Sequence, residues 1–229
     1  MYVTAILLAA GKGERLKSST LKPFVCVNSH PLLAYSLAAL NQHPLIKDII
    51  VVVNPDLRDR VLSLIEELGI KKIHCLVSGG QRRQDSLGCG LKALPQATEI
   101  VLIHDAARPF LDAGIIRRLI SAAKKYGAAI AGIPVVGTLK RVSKDLAVQQ
   151  TVDRKGLYEA QTPQVFQKRI ILDAYARFKA SLVTDDAMLV EKLNKKVVVV
   201  PGSRYNIKVT FPDDLVIAEG IARFKKIRL

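Results

Sequence analysis

Tryptophan is absent from the 229 residues, and all aromatics together reach only 5%. A core without large rings has to be packed with Val, Ile, Leu and Ala, the palette of a parallel sheet buried on both faces. Cysteine is scarce and odd in number: Cys26, Cys75 and Cys89, with no C-x-x-C spacing. That excludes a disulfide framework and a zinc knuckle, and it suits three reduced thiols in a cytoplasmic protein. No stretch reaches the ~20 apolar residues of a membrane-spanning helix. The apolar run Val3 to Ala10 has no basic stretch before it and leads straight into a glycine turn. It therefore reads as a first strand and not as a signal peptide, and the fold is expected to begin at residue 2 without a targeting extension.

Long basic tracts are lacking too, although the net charge is +15. Lys124-Lys125, Lys195-Lys196 and Lys225-Lys226-Ile227-Arg228 are the nearest approach to one. Charge spread in this way suits a solvated surface or an acidic small molecule. A nucleic-acid binder would need a recognisable module or stacking aromatics, so neither nucleic acid nor membrane is expected as a partner. Catalytic signatures are missing as well. There is no Walker A loop, no G-x-S-x-G elbow, no Cys–His pair, and no second His or Cys at metal-ligand spacing from His104.

What is present is a core-forming chain, 49% hydrophobic. Five short apolar runs read as buried strands: Val3–Ala9, Asp48–Val53, Ile73–Val77, Ile100–Ile103 and Ala128–Val135. Helix-period segments alternate with them at Pro31–Gln42, Pro55–Leu68, Gln84–Leu94 and Asp112–Tyr126. The alternation predicts βαβ units and an α/β fold whose mostly parallel sheet carries helices on both faces. Residues 137–162 break the pattern. Thr138–Val142 and Val148–Val152 read as a hairpin turning at Ser143-Lys144-Asp145, and the whole segment as a protruding β-arm with little core of its own. Such an arm is expected to bury a face against another subunit. Helices follow at Lys168–Phe178 and Asp185–Leu193, then a strand at Val197–Val200, an extended piece at Asn206–Val209 and a last helix from Pro212 to Phe224. No internal repeat is found, so residues 1–229 read as one domain with an arm.

The chemistry gathers where strands end. Strand one runs into Ala9-Ala10-Gly11-Lys12-Gly13-Glu14-Arg15, a glycine turn whose N–H groups can cradle phosphate. Leu16 stands where a dinucleotide fingerprint needs its third glycine, and Asn54-Pro55 where it needs a ribose-binding acid, which argues against a nicotinamide oxidoreductase. Arg15 and Lys22 leave the turn as two cations suited to a triphosphate. After strand three, Gly79-Gly80 precedes Asp85-Ser86, where backbone and hydroxyl could read a base. Strand four ends in His104-Asp105-Ala106-Ala107-Arg108-Pro109. Asp105 there lies where a ribose or Mg²⁺ would sit, and Arg108 could hold a second phosphate. Arg154, in Thr151-Val152-Asp153-Arg154, and Lys208, in Asn206-Ile207-Lys208-Val209-Thr210, are isolated cations able to fix a phosphorylated acceptor.

These blocks, with Gln161-Thr162-Pro163-Gln164 and Thr184-Asp185-Asp186, occur in one order over nearly the whole chain. The set resembles the 2-C-methyl-D-erythritol 4-phosphate cytidylyltransferases. The resemblance implies a Rossmann-like nucleotidyltransferase fold, a homodimer joined through the arms, CTP and Mg²⁺ as requirements and pyrophosphate as a product. It implies Arg15, Lys22, Arg154 and Lys208 as catalytic cations. Ala9, Ala10, Gly11, Lys12, Gly13, Gly80, Ser86 and Asp105 would hold the nucleotide. Asp105, Arg108, Thr138, Arg154, Thr162 and Lys208 would line the acceptor site, Asp105 doubling as a metal ligand and the arm residues serving the partner subunit. Two positions depart from the pattern: Leu21-Lys22-Pro23 replaces the commoner Pro-Lys-Gln but keeps the lysine, and Gly137 precedes Thr138 in place of an acidic residue. A cytidylyltransferase for another polyol phosphate, such as ribitol 5-phosphate, shares most of these motifs and is the rival reading.

Overall fold

The structure is a computed structural model that describes residues 1–11, 13–16 and 20–225. In chain order its strands are β1 (Val3–Ala9), β2 (Cys26–Val27), β3 (His30–Pro31), β4 (Ile46–Val53), β5 (Ile73–Ser78), β6 (Ile100–Asp105), β7 (Ala128–Pro134), β8 (Leu139–Val142), β9 (Val148–Val152), β10 (Tyr158–Gln167) and β11 (Val198–Pro201). Its α-helices are α1 (Leu32–Gln42), α2 (Arg58–Glu67), α3 (Arg83–Lys92), α4 (Ala113–Tyr126), α5 (Lys168–Phe178), α6 (Ala187–Glu191) and α7 (Asp213–Phe224).

Every residue of β1 is buried, which explains why its sequence shows no alternation. Its side chains divide between two apolar layers. Val3, Ala5 and Leu7 pack with Leu37, Val61 and Ile116 on one face. Ile6 and Leu8 pack with Leu87, Leu91 and Ile171 on the other. Helices α1, α2 and α4 cover the first face and α3, α5 and α6 the second, so the expected α/β architecture with helices on both sides is observed. The sheet has seven strands in the order β11-β7-β10-β6-β1-β4-β5. β1 pairs in parallel with β4 and β6, β4 with β5, and β11 with β7.

The sequence reading omits β10, as it does the two-residue strands β2 and β3. β10 runs antiparallel between β6 and β7. Its pairing with β7 shifts register between Gln161 and Gln164, where Pro163 has no N–H to donate. The segment read as an arm therefore divides. β8 and β9 form a separate two-stranded, largely exposed ribbon, as expected. Residues 158–162 instead belong to the main sheet, with Gln161 and Thr162 buried in it.

A third cluster joins Leu16, Val25, Tyr35 and Phe110 to Val209 and to Ala218, Ile221 and Ala222 of α7. It ties the chain following β1 and the 206–210 segment to one small core beside the carboxyl ends of β1 and β6. Two cations far apart in sequence, Lys22 and Lys208, are positioned by this packing.

Candidate active site

A cleft of about 1040 Å³ opens at the carboxyl ends of β1, β4, β5 and β6. Its floor is backbone. A Cβ on Gly79 would lie 2.2 Å from the Ala10 Cβ and 2.9 Å from the Ser86 Oγ, so only glycine lets the β1 and β5 loops meet there. The Gly80 N–H donates to the Ser86 Oγ at 3.1 Å, and the Arg82 N–H to the Asp85 carboxylate at 3.1 Å, fixing the start of α3. Gly13 takes φ +73°, and a Cβ on it would fall 2.5 Å from that of Lys22. The glycine turn is thus laid directly against the lysine stem.

The expected nucleotide residues Ala9, Ala10, Gly11 and Gly13 line this cleft, as do Gly80, Ser86 and Asp105. Lys12 lies outside the described residues. The cations Arg15, Lys22 and Lys208 stand around the same space. Partial burial, then the positive charges of Lys208 and Arg15, lower the Lys22 ammonium from its ordinary value near 10.5 to about 8. A bound triphosphate would hold that proton. Triphosphate affinity is therefore expected to be level below about pH 7 and to fall as pH rises through 8, approaching tenfold per unit, with proton uptake on binding at pH 8.5. Calorimetry in buffers of different ionisation enthalpy measures both; no proton uptake at pH 8.5 would contradict this charge state.

Asp105 is the only carboxylate lining the cleft among the described residues. Its Oδ2 accepts from Lys208 Nζ at 2.7 Å and its Oδ1 from Arg83 Nε at 2.9 Å. Burial by itself would raise this carboxyl, but Arg83 and Lys208 outweigh it and hold Asp105 well below the usual carboxylate range.

The hydrogen bonds behind Asp105 resolve by donor and acceptor arithmetic. His104 is fully buried, and burial pushes it down to about 4, so the ring is neutral at pH 7. Its Nε2 lies 3.0 Å from the Arg108 carbonyl, which can only accept, so Nε2 carries the hydrogen. Nδ1 is then the acceptor for the Thr162 hydroxyl at 3.0 Å. The Thr162 Oγ1 in turn accepts the Asp105 N–H at 3.1 Å. The Thr162 hydroxyl thus spends its one proton inside the protein. Thr162→Val, which removes two buried hydrogen bonds at once, is expected to cost about 1–3 kcal/mol. Thermal unfolding would read it, Thr162→Ser should restore most of the loss, and an unchanged melting temperature in the valine variant would refute the network.

Arg108 is also buried, which lowers its guanidinium from the ordinary value. It donates to the carbonyls of Asn206 (Nη1, 2.8 Å) and Ala160 (Nη2, 3.4 Å), joining β10 to the segment that carries Lys208. Neither Arg108 nor Thr162 lines the cleft. Thr138 and Arg154 are exposed on the arm side, and the Arg154 guanidinium donates to the Val136 carbonyl. One chain by itself therefore assembles the nucleotide residues and three of the four expected catalytic cations, without Arg154. Sequence reasoning assigned no role to Arg83, which lines the cleft, or to Gln164 and Asp186, which are buried behind it. The available signal was an arginine three residues after Gly80, at the start of a helix beside the nucleotide turn, and the carboxylate pair Asp185-Asp186.

Comparison with known proteins agrees with this geometry. A family model described as 2-C-methyl-D-erythritol 4-phosphate cytidylyltransferase matches residues 3–223. The protein of that name from Syntrophus aciditrophicus is 44% identical over 99% of this chain and 98% of its own. The one from Shouchella clausii is 43% identical, with both chains covered in full. Among solved structures, the 4-diphosphocytidyl-2C-methyl-D-erythritol synthase of Anaerococcus prevotii superposes with a TM-score of 0.86 at 33% identity, covering 97% of this chain and 96% of that one. The cation-lined cleft, the glycine floor and these likenesses over the full length lead to one conclusion: the chain belongs to the 2-C-methyl-D-erythritol 4-phosphate cytidylyltransferase family.

Proposed function

We propose that this chain transfers CMP from CTP to 2-C-methyl-D-erythritol 4-phosphate, giving 4-diphosphocytidyl-2-C-methyl-D-erythritol and pyrophosphate, a step of non-mevalonate isoprenoid synthesis. The observation that carries the reading is the convergence of Arg15, Lys22 and Lys208 on a glycine-floored cleft. An oxygen of the acceptor phosphate attacks the α-phosphorus of CTP, the bond to the bridging oxygen breaks, and pyrophosphate leaves with that electron pair. A phosphate monoester is already a nucleophile at neutral pH, so the side chains need only align two polyanions and neutralise their charge. Arg15 and Lys22, on the chain leaving β1, serve the triphosphate. Lys208, held at the end of β6 by Asp105, serves the incoming phosphate.

Mg²⁺ fits the cleft as an ion that arrives with the triphosphate. Asp105 already holds two cations, and no cluster of three or more His, Cys, Asp or Glu side chains is present among the described residues. The ion would take most of its ligands from phosphate and water, with Asp105 as the candidate protein contact. It would supply charge neutralisation on the phosphate oxygens.

The arm completes the proposal. Arg154 and Thr138 would meet the acceptor in the cleft of a second copy, making the active unit a homodimer with the β8–β9 ribbon as its interface. The exposed Val142, Leu146 and Val148 support this, because a ribbon has no core of its own to cover them. The three cysteines are unpaired, which suits the cytoplasm.

The test is pyrophosphate release from CTP and Mg²⁺ with either methylerythritol phosphate or ribitol 5-phosphate. Release with the first acceptor alone is expected. Release with ribitol phosphate alone would keep the cation roles and overturn the acceptor. Silence with both, in folded protein, would overturn the reaction.

A further inference from the structure

Four charged side chains form a line that runs from the core to the substrate space, and the outer three, Arg83, Asp105 and Lys208, line the cleft. Asp186, at the start of α6, is its inner end, and its side chain is 2% exposed. Both its oxygens accept from one guanidinium: Arg83 Nη1 donates to Oδ1 at 2.6 Å and Nη2 to Oδ2 at 2.8 Å. The third nitrogen of that guanidinium, Nε, donates to Asp105 at 2.9 Å. Lys208 holds the other oxygen of Asp105 at 2.7 Å. Asp186 is anchored in turn by Gln164 of β10, whose Oε1 accepts the N–H groups of Asp186 and Ala187 at 3.1 and 3.0 Å. Two carboxylates and two cations balance in charge. The carboxylates are the buried members, at 2% and 10% of their side chains, while Arg83 and Lys208 are partly exposed.

We propose that Asp186 and Arg83 are positioning residues that act through Asp105 on Lys208, allowing the lysine to exchange a carboxylate partner for a substrate phosphate. The inference rests on the nucleotidyl-transfer reading and adds to it a second tier of residues. To meet a phosphate, Lys208 has to loosen its contact with Asp105. Were it the sole partner, that movement would strand a buried carboxylate and be opposed by the full cost of doing so. Arg83 remains as a second partner, so Asp105 stays neutralised throughout. Asp186 has a separate part. Arg83 lies on the cleft wall, and its planar fork could otherwise turn toward the incoming phosphates. The bidentate grip from behind keeps that fork on Asp105. A lysine at position 83 would supply the charge but could not span both carboxylates in a fixed plane.

A double-mutant cycle between Asp186→Asn and Lys208→Ala tests this. It has two readouts: kcat for pyrophosphate release, and the Kd of inorganic phosphate, standing for the acceptor phosphate, by calorimetry. Thermal unfolding verifies that each variant is folded. Asparagine keeps the shape of residue 186 and one acceptor. Alone it is expected to lower kcat roughly tenfold and to weaken phosphate binding measurably, a coupling in the range of residues that share one network. In the Lys208→Ala background it should change neither quantity by more than about twofold, because its effect passes through the lysine. Equal losses with and without Lys208, or no loss in either background, would overturn the proposal and leave Asp186 a purely structural residue. Should Asp186→Asn fail to fold, Arg83→Lys enters the same cycle with the same expectation. If the unmodified protein releases no pyrophosphate with either acceptor, the nucleotidyl-transfer reading fails by itself. The cycle on phosphate binding then decides the relay, non-additive losses supporting it and additive losses overturning it.

Discussion

Replacing Lys22 with alanine is expected to lower kcat by roughly 10²–10³, with no loss of thermal stability. The two halves of this expectation have different origins. Lys22 stands in a short turn whose neighbours Pro23 and Phe24 are buried, and Arg60 lies over the Phe24 ring at 4.1 Å. The backbone there is held by contacts that alanine leaves untouched. The ammonium itself is under repulsion, since Lys208 and Arg15 both disfavour its charge. Removing it relieves like-charge strain, so the fold does not suffer. Turnover suffers because charge builds on the departing pyrophosphate, and a fixed cation placed for it is worth most in the transition state. A loss confined to kcat would mark an interaction made only in the transition state, whereas a rise in KM alone would mark ground-state binding. Lys22→Arg should keep much of the rate and remove the weakening of CTP binding above pH 8, because a guanidinium does not titrate there. Steady-state pyrophosphate release beside a thermal melt separates the two halves. Near-normal turnover in the alanine variant would remove Lys22 from the mechanism.

How far such residues can be read from sequence depends on what a one-dimensional pattern records. The parallel strands are legible because burial on both faces leaves continuous apolar runs, as in Val3–Ala9 and Ile100–Ile103. Helices such as Ala113–Tyr126 are legible because one face alone is buried. β10 fails both tests. Its buried positions include Gln161, Thr162 and Gln164, polar side chains made compatible with a core by specific bonds. Gln161 donates to the Ser203 carbonyl, Thr162 to His104 and Gln164 to Asp185. Hydropathy counts such residues as loop, because it cannot register partners that arrive from other elements. The same blindness governs the site. Arg15, Lys22 and Lys208 are recoverable from ordered motifs beside glycine turns. The contact between Arg83 and Asp186 spans 103 residues and follows from no local spacing. Thr162 shows the opposite case. Resemblance places it against the acceptor, while its hydroxyl is engaged with His104 and the Asp105 N–H behind the cleft wall.

Arg83→Met should be the most destabilising of the substitutions considered, at about 3–5 kcal/mol, because it breaks a buried ion pair from one side. Asp186 would be left 2% exposed with no countercharge, whereas Asp105 would keep Lys208. In a domain of this size that corresponds to a melting temperature lower by roughly 10 °C. The penalty carries a pH signature with a definite sign. Burial already holds the Asp186 carboxyl above its unfolded value of about 3.9 against the pull of Arg83, and without Arg83 it rises further. A group whose folded pKa is raised costs nothing below its unfolded pKa and progressively more as pH climbs to the folded one. The deficit of the variant should therefore be smallest near pH 4, grow toward neutrality and then level. Urea unfolding of variant and parent across that range measures it directly. Arg83→Met combined with Asp186→Leu should recover much of the stability, since an apolar pair of similar volume leaves no stranded charge. Nucleotidyl transfer should not recover with it, because Asp105 still lacks the partner that lets Lys208 go. A double variant that regains stability but stays slow would show that this buried charge is kept for the reaction and not for the fold. A deficit that is the same at pH 4 and pH 7 would mean that Asp186 finds another partner and that the pairing with Arg83 is dispensable.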